Sequence, residues 1–145
     1  MGILSQLFSR QISEKDLAKV KSLLKESAEY AQAANAAVKP EVFFEKYDLL
    51  EARLTELIKY EKYKIFKGNL PSRDLTRIQE QRQNEVNAMI QRGYHNAKEK
   101  AGRSPEKGAE IMADFFNHLE LFKDKMNKFN RKVVDDLRVI ALEQA

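Results

Sequence analysis

The chain has 145 residues, 43% hydrophobic and 33% charged, with a net charge of +4, a balance that suits one folded domain with a solvated surface and excludes a disordered tail. It has no cysteine, which excludes disulfides, thiolate metal sites and a cysteine nucleophile. With 5 Gly and 3 Pro, turn residues are too scarce for a β-rich fold, and no apolar run approaches the ~18 residues of a membrane span.

The first element is an amphipathic segment over residues 1–12. Ile3, Leu4, Leu7, Phe8 and Ile12 fall at i, i+1, i+4, i+5 and i+9, which is one helical face. The segment lacks the basic start and small-residue cleavage site of a signal peptide. Gln6 stands where a myristoylation signal wants Ser or Thr. A face of this kind either docks on the protein or inserts shallowly into a bilayer surface. The opening Met1-Gly2-Ile3-Leu4-Ser5-Gln6-Leu7-Phe8 resembles the amphipathic starts of phage-shock-type membrane-surface proteins, and the resemblance does not extend into the body of the chain.

Residues 13–145 read as a single helical domain. Three breaks, Val38-Lys39-Pro40, Gly68-Asn69-Leu70-Pro71-Ser72 and Gly102-Arg103-Ser104-Pro105, each set a proline at the first turn of a following helix, where its missing N–H costs nothing. Gly102 suits the position after a helix end, and Ser104 suits an N-cap. Between the breaks the apolar spacing is three and four throughout. The first helix starts near Ser13 and carries Leu17, Val20, Leu24, Ala31 and Val38. The second carries Phe43, Tyr47, Leu50, Leu54 and Leu57, followed by a Tyr60, Tyr63, Ile65, Phe66 cluster. The third carries Leu75, Ile78, Val86, Met89 and Ala97. Gly93 interrupts that third helix at a cost of about 1 kcal/mol, which close packing against a bulky neighbour would explain.

The fourth helix has the strongest pattern, with Met112, Phe115, Leu119, Phe122, Met126, Phe129, Val133, Leu137 and Ile140 in near-continuous heptads. Short connections make successive helices antiparallel neighbours. The expected fold is therefore all-α: a four-helix antiparallel up-down bundle with a long C-terminal helix and a short amphipathic N-terminal segment. The length of the fourth helix implies an overhang at Val133, Leu137 and Ile140, to be covered by residues 1–12 or by a second subunit. Folding the chain in this way gathers Lys59, Lys62, Lys64, Lys67, Arg73, Arg77, Lys125, Lys128, Arg131 and Lys132 at one basic end.

Signs of catalysis are absent. There is no Gly-rich phosphate loop, and neither His95 nor His118 has Glu three residues before it, as a di-iron bundle requires. Glu110, Asp114 and His118 recur at i, i+4 and i+8, so a divalent cation is conceivable there with help from Glu45 or Asp48, but a solvated acidic face is the simpler reading. No metal, cofactor or small-molecule substrate is inferred. The Lys59 to Lys67 cluster with Tyr60 and Tyr63, and Arg73 with Arg77, offer phosphate contacts and stacking without a recognised reading motif. The expected function is a non-enzymatic helical protein–protein interaction module of the cytoplasm, able to self-associate. The alternatives, in order, are a peripheral protein on an anionic membrane surface and a weak, non-specific nucleic-acid binder.

Overall fold

The computed structural model describes residues 12–144, and every regular element among them is helical. Five α-helices follow in order: α1 (Glu14–Ala36), α2 (Pro40–Ile58), α3 (Pro71–Arg103), α4 (Gly108–Glu120) and α5 (Lys128–Glu143). Single 3-10 turns cover Lys64–Phe66, Pro105–Lys107 and Lys123–Lys125. No helix among the described residues is long and apolar enough to cross a membrane.

The helix starts follow from local chemistry. Ser13 Oγ accepts a bond from the Asp16 backbone N–H at 3.1 Å, which caps α1. Pro40 and Pro71 open α2 and α3, as their lack of an N–H predicts. The Ser72 N–H, in the first turn of α3, donates to Glu61 Oε2 at 3.1 Å. Gly68 has φ +84, the left-handed conformation that reverses the chain before α3.

Two expectations need correction. Gly102 does not end the third helix; α3 runs through it to Arg103, and Pro105 opens a 3-10 turn before α4 begins at Gly108. More consequentially, the long C-terminal helix is two helices. Leu121 and Phe122 close the last turn of α4 with short bonds to His118 O and Leu119 O, and Met126 adopts an extended conformation. Asn127 then caps α5, its Oδ1 accepting from Asn130 N at 2.8 Å. Met126, which the apolar spacing places on a helix stripe, is buried within the corner itself. The chain reverses here, which brings Arg138 to Glu120.

The chain forms two compact units. The first comprises the described residues up to Gln32 and Glu45–Glu80. Its core is Val20, Leu23, Leu50, Leu54, Leu57 and Phe66, with Ile12, Tyr60 and Leu70 packed against it. Arg53 and Glu26 form a hydrogen-bonded ion pair beside Tyr30, and the Tyr47 hydroxyl donates to Ile78 O.

The second unit comprises Ala33–Phe44 and the chain from Gln81 onward. Phe43, Phe44, Met89, Ile90, Leu119 and Val134 are almost wholly buried in it. The paired phenylalanines of α2 and α4 both pack edge to face, Phe43 with Phe44 at 5.2 Å and Phe115 with Phe116 at 5.0 Å between ring centroids. Gly93 is the most tightly enclosed of the described glycines: a Cβ there would lie 2.7 Å from Val38 O and 2.9 Å from the Phe115 ring. Asn130, 1% exposed, donates from its amide to Gln83 O at 3.0 Å and fixes α5 to α3.

Candidate functional site

The turn between α4 and α5 assembles a cluster of ion pairs. Glu120 Oε1 lies 2.9 Å from Arg138 and 3.0 Å from Lys123, and Lys123 also reaches Asp135 at 3.1 Å. Arg131 Nε donates to Lys123 O at 2.8 Å. The Lys123 hydrogen bond, against a smaller effect of burial, holds the Glu120 carboxyl below its ordinary value, and the charges of Lys123 and Arg138 add to this. Its partners are half-exposed, so the cluster pins the corner and contributes little as bulk electrostatics.

Acid should reveal it. A carboxyl whose folded pKa is depressed contributes stability that is complete above the ordinary carboxylate value of 4.5 and is lost as pH falls through the folded value. The melting temperature should drop below about pH 4.5, and Glu120→Gln should flatten that drop while lowering the neutral-pH plateau. Parallel pH profiles for the two proteins would contradict the assignment.

His118 is placed by a different contact from those its helix suggested. Its Nε2 lies 2.6 Å from Glu41 Oε2, and its ring packs edge-on to Phe122. The pair joins the first turn of α2 to the last turn of α4, where each side chain suits its helix dipole. Burial pushes the Glu41 carboxyl up, and the His118 hydrogen bond and charge, with Lys39, bring it below its ordinary value. Glu110 and Asp114 are exposed on the same helix. Among the described residues, no three acidic or histidine side chains come together in a cluster that could hold a metal ion.

The basic residues divide between the units. Lys59, Lys62, Lys64, Lys67, Arg73 and Arg77 belong to the first, and Lys125, Lys128, Arg131 and Lys132 to the second. In the first unit Tyr60 and Tyr63 stack on each other at 6.4 Å, and the Tyr63 hydroxyl donates to Asp16 at 3.3 Å. The tyrosines thus spend much of their surface on structure. Arg77 pairs with Asp74 at 3.0 Å. Ile3, Leu4, Leu7 and Phe8 lie outside the described residues, whereas Ile12 packs on the first unit's core.

The second unit presents two apolar surfaces. One is a row along α5, where Phe129 and Ile140 are 47% and 42% exposed and Val133 and Leu137 between them are half-buried. The other is a groove of about 610 Å³ between the end of α3, the start of α4 and the end of α5. Met112, Phe116, Ala141 and Leu142 give it apolar walls. Lys98 lies 5.5 Å over the Tyr94 ring and Arg138 5.5 Å over the Phe116 ring, the two rings being 6.1 Å apart. The sequence gives no motif for this groove, because its lining comes from the ends of three helices. No protein-family model, curated protein or solved structure matches the chain.

Proposed function

We propose that the protein is a non-enzymatic helical interaction module that self-associates through α5. The observation behind this reading is the exposed row Phe129, Val133, Leu137, Ile140, at i, i+4, i+8 and i+11. Such a row in water is unfavourable, and a second copy is a partner whose chemistry the row itself matches. Two α5 helices paired antiparallel about a two-fold axis set Phe129 of one copy against Ile140 of the other and Val133 against Leu137. The same register sets Lys128 against Glu143 and brings Lys132 toward Asp136. The charge order of α5, basic at its start and acidic beyond, therefore favours the antiparallel pair over the parallel one.

A helix of 16 residues is about 24 Å long, so the interface is at the small end of stable ones and a micromolar dissociation constant is expected. Sedimentation velocity from about 1 to 300 μM should show a concentration-dependent shift from monomer to dimer. Ile140→Glu should leave the helicity intact and hold the protein monomeric across that range. Lys128→Glu and Glu143→Lys should each weaken the dimer, and their combination should restore it. A wild-type protein monomeric at the highest concentration, or a dimer indifferent to Ile140→Glu, would refute the reading.

A further inference from the structure

The groove beside the α5 row is independent of self-association, and its lining is specific enough to name a ligand class. Its volume of about 610 Å³ is that of a small-molecule site. Its described lining residues include two cations, Lys98 and Arg138, and no acid. Among the described residues Lys98 has no carboxylate within ion-pair distance, and its ammonium lies over the Tyr94 ring. Arg138 donates to Glu120 and to Phe116 O through one nitrogen, which leaves further N–H groups of its five-donor fork for a second acceptor. Tyr94, 8% exposed, lines the groove, and its hydroxyl is buried without a hydrogen-bond partner.

A further positive feature is the first turn of α4. Gly108 and Ala109 line the groove; the Gly108 N–H is taken by Pro105 O, and the turn contributes the positive end of the helix dipole there. An acceptor-rich negative head is matched by these groups, and a hydrocarbon chain by Met112, Phe116, Ala141 and Leu142. The geometry points to a binding site for a free single-chain carboxylate amphiphile, with the carboxylate held between Lys98 and Arg138 and the chain along the α4–α5 side of the groove.

Decanoate, decanol and decyltrimethylammonium share a chain and differ in head charge, and each can be titrated into the full-length protein by calorimetry below its micelle concentration. Decanoate should bind saturably at one site with a dissociation constant on the order of 100 μM. Decanol should bind more weakly and the cation weakest. Lys98→Glu, at an exposed position, should weaken decanoate about tenfold and reverse the preference toward the cation. Ala109→Trp should fill the groove and remove binding of all three, with helicity unchanged. Absence of saturable decanoate binding up to about 1 mM, equal affinity for the carboxylate and the cation, or affinity unchanged in Ala109→Trp would each overturn the assignment.

Discussion

Gly93→Ala is expected to destabilise the protein by about 2 kcal/mol, although alanine is the better helix former. Two effects oppose each other. In an open helix the change would gain about 1 kcal/mol from propensity. Here the new Cβ would lie 2.7 Å from Val38 O and 2.9 Å from the Phe115 ring. Val38 O is backbone, in the three-residue connection between α1 and α2, and cannot swing away as a side-chain end would. Phe115 is hemmed in by Tyr94 and Phe116. Inserting a methyl into a packed site costs about 1–3 kcal/mol, and two unyielding neighbours put this case at or beyond the upper end. Thermal melts should place the variant ~5–8 °C below wild type, and Gly93→Val lower still. A variant more stable than wild type would mean that propensity decides the sign and that the close approach does not exist.

Loss of the Arg92 guanidinium should cost about as much, through an adjacent but different contact. Arg92 Nε donates to Ala37 O at 2.9 Å, and another nitrogen donates to Ala34 O at 3.1 Å. Ala34 O lies in the last turn of α1 and Ala37 O on the residue just past its end, and that turn carries no basic residue of its own. Arg92 thus serves α1 as a cap supplied from α3, and its charge meets the negative end of the α1 dipole. Burial draws the guanidinium below its ordinary pKa, with Glu85 acting the other way. Arg92→Met keeps the apolar stem and removes the donors, and a loss of about 2–3 kcal/mol is expected from denaturant melts. Arg92→Lys should recover less than half, because an ammonium cannot span both carbonyls in the same planar geometry. A Met variant as stable as wild type would show that water caps α1 equally well. Since Arg92 and Gly93 act on the same connection, the double variant should fall short of the sum of the two.

The sequence makes the helical class and three of the helix starts legible, for reasons of backbone chemistry. Pro40 and Pro71 have no N–H to lose at a first turn, and Ser13 carries a capping oxygen. The close contact at Gly93 is also legible, because a glycine in a strong helical pattern has to be compensated by packing. The corner at 121–127 is not. It contains neither Gly nor Pro, and its apolar spacing runs unbroken through Phe122, Met126 and Phe129. The signal present is Asn127, an N-cap residue without its usual neighbours. Missing that corner conceals the rest of the site. In one continuous helix Glu120 and Arg138 would stand about 27 Å apart, and they meet at 2.9 Å once the chain reverses. The groove, Lys98 and Tyr94 are hidden for the same reason. Arg92, a polar residue beside a stripe, gives no hint in composition that its partners are carbonyls of another helix.

The Asn127 corner and the Arg92 cap also differ in how much chain must close before either can form. Glu120 and Arg138 are 18 positions apart with the corner and the first turns of α5 between them, whereas Arg92 reaches back 55 and 58 residues to Ala37 and Ala34. Loop-closure entropy rises with the logarithm of that separation, so the α4–α5 hairpin is the cheaper of the two to close. It carries its own turn, cap and ion pairs and can assemble from local contacts, while the α1–α3 clasp must wait for distant segments to meet. The second unit is therefore sequential in its construction: a local nucleus at the C-terminal end, and a long-range latch that completes it.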